Sequence, residues 1–212
     1  MSDSPSISFA ITASTEHHEL ELLLRLLHEG ARDCDEVVVQ VDSLTVTDAV
    51  KNVVAQYKNI SIVEFPLDNH FGNFKNNLKS KCSKDYIFQI DADELPHSSL
   101  IDSLPKILET YPDIGLFHVP RINTVEGISR HHLEKWKWTM SEKGWINWPD
   151  YQPRLFKNSP DITWELPVHE TITNYKTASF FPASEEYCLY HPKGVQRQEK
   201  QNALYEAIHN ES

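Results

Sequence analysis

The first half of the chain alternates short apolar runs with segments of helical hydrophobic spacing. The runs rich in valine and isoleucine predict four strands, at 7–12, 36–41, 60–67 and 85–90. One helical face follows the first strand, formed by Leu20, Leu23, Leu24 and Leu27. Further helices are predicted around 50–57, by the same spacing, and at 73–82. Because the strands are nearly continuously apolar, we expect a doubly wound α/β sheet of parallel strands with helices on both faces.

The ends of these helices carry their own signals. Ser14 or Thr15 is expected to cap the first helix, which Gly30 can end, and Thr47 is expected to cap the second. Pro105 is typical of a first helical turn and predicts a helix over 104–109.

The hydrophobic pattern loosens after residue 98. A further strand is predicted at 114–122, and all five tryptophans fall between 136 and 164, among turns and short polar segments. We interpret the chain as a single domain over 1–212 whose second half, 98–212, is rich in loops.

Composition narrows the class of protein. Thirty-one acidic side chains against twenty basic ones give a net charge of −11, with no basic stripe, which argues against a nucleic-acid partner. No run of 18 apolar residues predicts a transmembrane helix, and the first residues lack the pattern of a signal peptide. The scattered Cys34, Cys82 and Cys188 are typical of reduced thiols. We therefore expect a cytoplasmic protein.

An acidic motif, Asp91-Ala92-Asp93-Glu94, follows the fourth predicted strand directly. Open α/β sheets bind ligands outside the carboxyl ends of their strands, and residues two apart on a strand point the same way. Two such carboxylates can hold a divalent cation, which would neutralise a diphosphate. A chain of this composition contains about one Asp-x-Asp pair by chance, and a solvated turn is the alternative. The second pair, Asp33-Cys34-Asp35, precedes a strand and is interpreted as structural.

Several segments together resemble family 2 glycosyltransferases of the GT-A fold, particularly those that extend bacterial lipopolysaccharide and other surface glycans. The resemblance covers about residues 7–205. The segments that carry it are ISFAITASTEHHELELLLRLL, NHFGNFKNNLKSKCSKDYIFQIDADELPH, WPDYQPRLFKN, VHETI and LYHPKG. It implies a Rossmann-like GT-A domain, with a nucleotide-binding half at about 7–97 and an acceptor half at about 98–212.

By this resemblance, one group of residues would bind a nucleotide-diphosphate sugar. The group consists of Thr12, Ala13, Ser14, Glu16, Asp42, Lys75, Asn76, Asp91, Ala92, Asp93 and Arg154. Alternatives remain for three of them. Asp42 could read a base N–H or simply close a turn, and Lys75 could be an exposed helix charge. Arg154 could grip the diphosphate or form a buried ion pair.

The reaction implied by the resemblance is a single in-line displacement with inversion at the anomeric carbon. Asp93 would ligate Mn²⁺ or Mg²⁺ together with His191 or, as second choice, His169, and an imidazole ligand favours manganese. Glu170 is the first candidate for the base that deprotonates the acceptor hydroxyl, followed by Glu94 and Asp150. The acceptor would be a glycan or a lipid-linked saccharide, which leaves open contact with the inner face of a membrane.

Aromatic residues of the second half suggest an acceptor surface. Trp148, with Trp145 and Tyr151, could present flat faces to pyranose rings, whereas Trp136, Trp138 and Trp164 are predicted to be core. A nucleotidyltransferase would carry a glycine-rich phosphate loop after the first strand, where this chain has no glycine. The remaining alternative is a nucleotide-sugar or glycan-binding module of the same fold that has lost catalysis.

Overall fold

The computed structural model describes residues 4–211, with side chains for residues 4–203. Residues 1–3 and 212 of the predicted domain lie outside the described residues. The first half contains β1 (Ile7–Ala13), α1 (His17–Gly30), β2 (Glu36–Asp42), α2 (Asp48–Val54), β3 (Ile60–Phe65), α3 (Phe71–Lys79), β4 (Tyr86–Asp91) and β5 (Leu95–Pro96). The second half contains α4 (Ser98–Thr110), β6 (Leu116–Glu126), α5 (Arg130–Trp136), β7 (Ile146–Lys157), β8 (Thr163–Glu165), β9 (Thr171–Thr173), β10 (Ala178–Phe180), a 3₁₀ turn (Glu185–Tyr187), β11 (Leu189–Gly194) and α6 (Val195–Glu211).

The described part of the chain forms one large sheet with the strand order β3-β2-β1-β4-β7-β6-β11-β5. Strands β1 to β4 are parallel, as predicted from their continuous apolar sequences. The antiparallel β7 then joins β4 to β6, and β11 and β10 both pair with β6 in parallel. Together with the helices this gives a mixed α/β domain.

Helices cover both faces of the sheet, also as predicted. One face buries apolar residues of α1, α2 and α4 in the larger core cluster, which includes Leu24, Val50 and Leu104. The other face is covered by Leu78 of α3 and by Trp164 of the small β8–β9 hairpin. Within the described residues, no helix is long and apolar enough to cross a membrane.

Three helix boundaries test the capping rules. Thr47 caps α2 as predicted, since its hydroxyl accepts the Val50 N–H at 3.4 Å. The prediction that Ser14 or Thr15 caps α1 is wrong. Glu16 occupies the N-cap position instead. Its carboxylate accepts the N–H groups of Ser14 and Thr15, which precede the helix, at 2.8 and 3.0 Å.

The predicted start of α4 at residue 104 is also wrong, because the helix begins at Ser98 and contains Pro105. The His97 ring caps it by accepting the Ser99 N–H at 3.2 Å. Proline inside a helix removes one backbone hydrogen bond. In α4 the burial of an apolar face outweighs that loss. The face is formed by Leu100, Ile101, Leu104 and Leu108.

The register of the second-half strands prepares the site. Arg121 of β6 lies opposite Asp150 of β7, and the pairing then shifts before Asn123. Asn123 is at the same time the parallel partner of His191 on β11. Polar side chains from three strands are therefore placed beside the carboxyl end of β4.

Candidate active site

A cleft of about 900 Å³ opens at the carboxyl ends of β1, β2 and β4, and β6, β7, β11 and α6 contribute its other walls. Most residues predicted to bind donor, metal or acceptor line it. These are Thr12, Ala13, Ser14, Glu16, Asp42, Lys75, Asp91, Ala92, Asp93, Asp150, Arg154, His169, Glu170 and His191. Asn76 and Glu94, which the sequence also predicts as site residues, are not among the lining residues.

Asp91 ends β4 and is held by three side chains. One carboxylate oxygen accepts the Thr12 hydroxyl at 2.6 Å and lies 3.4 Å from the Lys75 ammonium, while the other accepts Nη2 of Arg154 at 2.7 Å. Burial by itself raises the pKa of Asp91, but Arg154, Lys75 and Thr12 together hold it well below its usual value. Asp91 is therefore a fixed, ionised carboxylate.

Glu94 is a buried counter-charge behind the cleft. One of its oxygens accepts Nη1 of Arg121 at 2.8 Å and Nη2 of Arg154 at 2.6 Å, and the other accepts the Asp91 N–H at 3.2 Å. Burial lowers the pKa of Arg154, but Asp91 and Glu94 raise it far more. The guanidinium groups of Arg121 and Arg154 therefore stay charged, and their hydrogen bonds to Glu94 fix their orientation.

Asp150 of β7 is equally well held. One oxygen accepts Nε and Nη2 of Arg121 at 3.0 and 2.8 Å and the Asn123 amide at 2.7 Å, while the other accepts the Gln152 amide at 2.7 Å. Burial raises the pKa of Asp150, and these contacts, Arg121 first, more than reverse the effect. The carboxylate is ionised and acts only as an acceptor.

Asp93, the second aspartate of the motif, faces three nitrogen-bearing side chains through one oxygen. His191 Nε2 lies at 3.2 Å, Arg197 Nη2 at 3.3 Å and Lys193 Nζ at 3.7 Å. Burial raises the pKa of Asp93, and the bond to His191 and the charges around it lower it further than burial raises it. Arg197 also contacts Glu16 at 3.0 Å, so α6 is tied across the cleft to the start of α1.

His191 is nearly buried, and the other nitrogen of its ring, Nδ1, lies 2.7 Å from the Asn123 oxygen. Burial lowers the pKa of the imidazole and outweighs the opposite effect of Asp93. His169, the alternative metal ligand, lines the cleft beside Glu170 with a backbone φ of 53°. His191 contacts Asp93 at 3.2 Å.

Lys75 and Glu170 form the ion pair that closes the cleft on the side of α3. The Lys75 ammonium donates to Glu170 at 2.7 Å and lies 4.7 Å from the centre of the Trp164 ring. Lys75 is only 2% exposed, so it is not the solvated helix charge that the sequence left open. The Glu170 side chain keeps 18% of its surface accessible, at the cleft.

Two predicted nucleotide-binding residues have other partners in this structure. The Asn76 amide nitrogen donates to the Trp164 carbonyl at 2.8 Å, and the amide oxygen accepts the Trp164 N–H at 2.9 Å. These two hydrogen bonds connect α3 to β8. Asp42 lines the cleft, but its carboxylate also accepts the N–H groups of Leu44 and Leu67, each at 3.1 Å. Asp42 thus closes the turn after β2 whatever else it binds.

Protein ligands for a metal ion are few. Within residues 4–203, no cluster of three or more His, Cys, Asp or Glu side chains is suitable for holding a metal ion. The pair Asp93 and His191 offers two donor atoms, and any further ligands would have to come from a substrate or from water.

Solved structures of S. aureus TarS, a glycosyltransferase, are similar to this chain. The TarS fragment 1–349 matches with a TM-score of 0.58 at 12% identity, over 88% of this chain and 60% of the fragment. The same fragment in complex with UDP matches with a TM-score of 0.58 at 11% identity. TarS itself matches with a TM-score of 0.60 at 12% identity, over 88% of this chain and 36% of TarS.

This protein has a GT-A-like glycosyltransferase fold. At 11–12% identity the similarity to TarS is a similarity of fold. The chain spans less than two thirds of the length of each of these TarS chains. No protein-family model and no curated protein sequence matches it.

The lining residues that sequence reasoning missed include four polar ones that contact the acidic residues of the cleft or their partners: Arg121, Asn123, Lys193 and Arg197. A signal existed for three of them. Arg121 interrupts the apolar run 114–122, Asn123 follows it at the strand period of two, and Lys193 follows His191 at the same period. Arg197 lies in a polar helix that carries no comparable signal.

The tryptophans divide differently from the prediction. Trp164 is buried in the core as predicted. Trp136 and Trp138 are only half-buried and pack on each other, and Trp138 lines the cleft, so the prediction that they are core is wrong. Trp145 and Trp148 are half-buried against each other, with ring centres 4.9 Å apart.

Proposed function

We propose that this protein transfers a sugar from a nucleotide-diphosphate donor to a hydroxyl group of an acceptor, with inversion and with a bound divalent cation. The observation that carries the proposal is the charge arrangement at Asp93, where one carboxylate at the end of a central strand meets the side chains of His191, Lys193 and Arg197. Lys193 and Arg197 supply positive charge where the negative charge of a diphosphate leaving group would develop, and His191, whose pKa is lowered by burial, offers a ligand for a cation there.

The donor is proposed to lie across the ends of β1, β2 and β4. The nucleoside would contact residues 12–16 and Asp42, which line the cleft. The structure of TarS in complex with UDP supports a nucleotide as a ligand of this fold. Arg154 lines the cleft, and its guanidinium, which is ion-paired with Asp91 and Glu94, is proposed to face the diphosphate. Lys193 and Arg197 would add positive charge from the opposite wall.

The donor atoms at Asp93 fit a divalent cation. Two ligands at adjacent positions of an octahedral metal lie about 3 Å apart, at metal–ligand distances of about 2.1 Å. The Asp93 oxygen and His191 Nε2 are 3.2 Å apart, and a neutral imidazole is a good ligand for Mn²⁺. When bound, Mn²⁺ or Mg²⁺ would neutralise charge on the diphosphate. Asp93 and His191 would hold the ion, with His169 as the second choice.

Glu170 is the proposed base for the acceptor hydroxyl. It lines the cleft, keeps accessible surface and is held in place by Lys75 through a single oxygen. Asp150 is the second candidate, since it also lines the cleft but is engaged by Arg121 through two bonds. Glu94 is the third and weakest candidate, because it is buried between two arginines.

The acceptor is proposed to be a glycan or a lipid-linked saccharide, bound on the side of Trp138, Trp145 and Trp148. Location in the cytoplasm, contact with the inner face of a membrane and the lack of a nucleic-acid partner remain predictions from the sequence.

The test begins with the donor. We would measure the melting temperature with UDP, GDP, CMP and dTDP, each with and without Mn²⁺, and then assay transfer from sugar derivatives of the nucleotide that stabilises the protein. Stabilisation by one nucleotide only when Mn²⁺ is present is the expected result. A response to none of them would contradict the proposal, and metal-dependent binding without turnover would identify a binding module.

The base is tested by Glu170→Gln, which keeps an oxygen for Lys75. We expect the transfer rate to fall about 10²- to 10⁴-fold, the usual contribution of general acid–base catalysis, with nucleotide binding unchanged. Glu165→Gln is the matched control, because Glu165 is exposed on β8 outside the cleft. Near-normal transfer by Glu170→Gln would remove Glu170 from this role and favour Asp150.

A further inference from the structure

Asn123 of β6 connects Asp150 of β7 with His191 of β11. Its amide nitrogen donates to Asp150 at 2.7 Å, and its amide oxygen lies 2.7 Å from Nδ1 of His191. The imidazole continues the connection, since its Nε2 lies 3.2 Å from Asp93. Asp150, Asn123 and His191 thus form one hydrogen-bonded series, and Asp93 faces its free end.

The direction of the Asn123 amide follows from its partners. The Asp150 oxygen that it meets also accepts two N–H groups of Arg121, so this oxygen is an acceptor toward every neighbour. Only the NH₂ group of an amide can donate to it. The oxygen of Asn123 must therefore face His191, and the register that pairs Asn123 with His191 keeps it there.

An amide oxygen can only accept, so the ring nitrogen beside it must carry a hydrogen. In the neutral imidazole this places the hydrogen on Nδ1 and leaves the lone pair of Nε2 facing the Asp93 oxygen at 3.2 Å, a contact between two acceptors that a cation can bridge. The opposite tautomer would bring two acceptors together at the much shorter distance of 2.7 Å and would have no lone pair for a cation near Asp93.

We propose that Asn123 is a positioning residue that holds His191 in the Nδ1–H tautomer, and thereby makes Nε2 a metal ligand. The consequence for metal binding rests on the proposed function, whereas the tautomer does not. Residues that orient a ligating histidine in this way typically contribute about 10- to 100-fold to metal affinity.

Asn123→Leu tests the proposal, because leucine has a similar volume and can make neither bond. We expect about a 10- to 100-fold weaker affinity for Mn²⁺, measured by electron paramagnetic resonance of free Mn²⁺ in the presence of the stabilising nucleotide. We also expect ¹⁵N spectra, recorded without metal at a pH where histidine is neutral, to show His191 losing its preference for Nδ1–H. The His191 resonances are assigned with His191→Gln.

A rescue variant separates this role from simple packing. Asn123→Asp keeps an oxygen in front of His191 Nδ1 and gives up only the hydrogen bond that Asn123 donates to Asp150. We expect this variant to keep the Nδ1–H tautomer and to bind Mn²⁺ more tightly than Asn123→Leu does. Asn158→Leu is the matched control, since the Asn158 amide bridges the Cys82 and Lys84 carbonyls and does not line the cleft.

The outcomes are distinguishable. An unchanged Nδ1–H tautomer in Asn123→Leu, or equal Mn²⁺ affinity in the leucine variant and the rescue variant, would overturn the inference and leave the proposed function standing. Failure of the wild type to bind Mn²⁺ would instead remove the metal from the proposed function, and the ¹⁵N spectra would still decide whether Asn123 sets the tautomer.

Discussion

The chain contains two Asp-x-Asp motifs, at opposite ends of the same sheet. In the first, Asp35 precedes β2 and accepts the N–H of Ile7 at 2.9 Å, the N–H of Arg32 at 3.0 Å and the Arg32 guanidinium at 2.8 Å. Asp33 of this pair is exposed. In the second, both aspartates line a cleft at the carboxyl end of β4.

The difference lies in where the partners come from. Asp35 is held by a neighbour three residues away and by the strand beside it, which joins β1 to the loop before β2. Asp91 and Asp93 receive side chains from β1, α3, β7, β11 and α6. Loops of a parallel sheet converge at its carboxyl ends, and ligands bind there. An Asp-x-Asp motif before a strand therefore stabilises the fold through local contacts, whereas one at the carboxyl end of a strand lines a cleft.

The largest effect on stability is expected from the counter-charge behind the second motif. Glu94→Ala would leave Arg121 and Arg154 without the buried carboxylate that both contact. Breaking a buried ion pair in this way costs about 3–5 kcal/mol of unfolding free energy. Denaturation by urea measures it, and Glu64→Ala, which removes an exposed pair with Lys51, should change stability by less than about 1 kcal/mol. Similar losses in both variants would contradict the ion-pair network.

A second test compares the two motifs directly. A nucleotide and Mn²⁺ at a hundred times the dissociation constant add about 2.7 kcal/mol of stability. Asp93→Ala should abolish this stabilisation, while Asp33→Ala should keep it, because only Asp93 lines the cleft. Melting curves with and without ligand measure both. If nucleotide and Mn²⁺ stabilised Asp93→Ala as much as the wild type, the proposed role of the second motif in ligand binding would be contradicted.

The smallest effect concerns acid stability. The folded-state pKa of Asp91 is lowered, so its contribution is complete above the unfolded value of about 3.9 and is lost as the pH falls below it through the folded value. In Asp91→Asn the unfolding free energy should therefore decrease less steeply than in the wild type as the pH falls below about 4. Each unit of pKa difference corresponds to about 1.4 kcal/mol.

Asp85, at the amino end of β4, is the control for this pH series. Its pKa is lowered by hydrogen bonds from the Ser6 backbone and hydroxyl, but the carboxylate lies at an exposed contact. Asp85→Asn should change the acid profile less than Asp91→Asn does, and the reverse order would mean that the cleft does not dominate acid unfolding.

Local patterns predicted much of the fold correctly. The continuous apolar strands predicted parallel pairing, and Thr47 predicted its own helix cap. Local rules failed where tertiary packing had the larger energy. Pro105 signalled a helix start, yet the buried face of α4 extends to Ser98. For Lys75 the sequence left a nucleotide-binding residue and an exposed helix charge both open, because nothing local indicated Trp164 and Glu170, about 90 residues later, as its neighbours.

The sequence by itself determined the alternation of strands and helices and the place of Asp91 and Asp93 at the carboxyl end of the fourth strand, because the hydrophobic period is a property of short segments. The central position of that strand in the sheet came from the tertiary structure. Only the tertiary structure decided which charges surround the two aspartates. The 3.2 Å contact between Asp93 and His191 spans 98 residues of chain and depends on the pairing of β11 with β6. Side-chain contacts of this kind follow from the register of the whole sheet, since a shift of one residue turns each side chain to the other face.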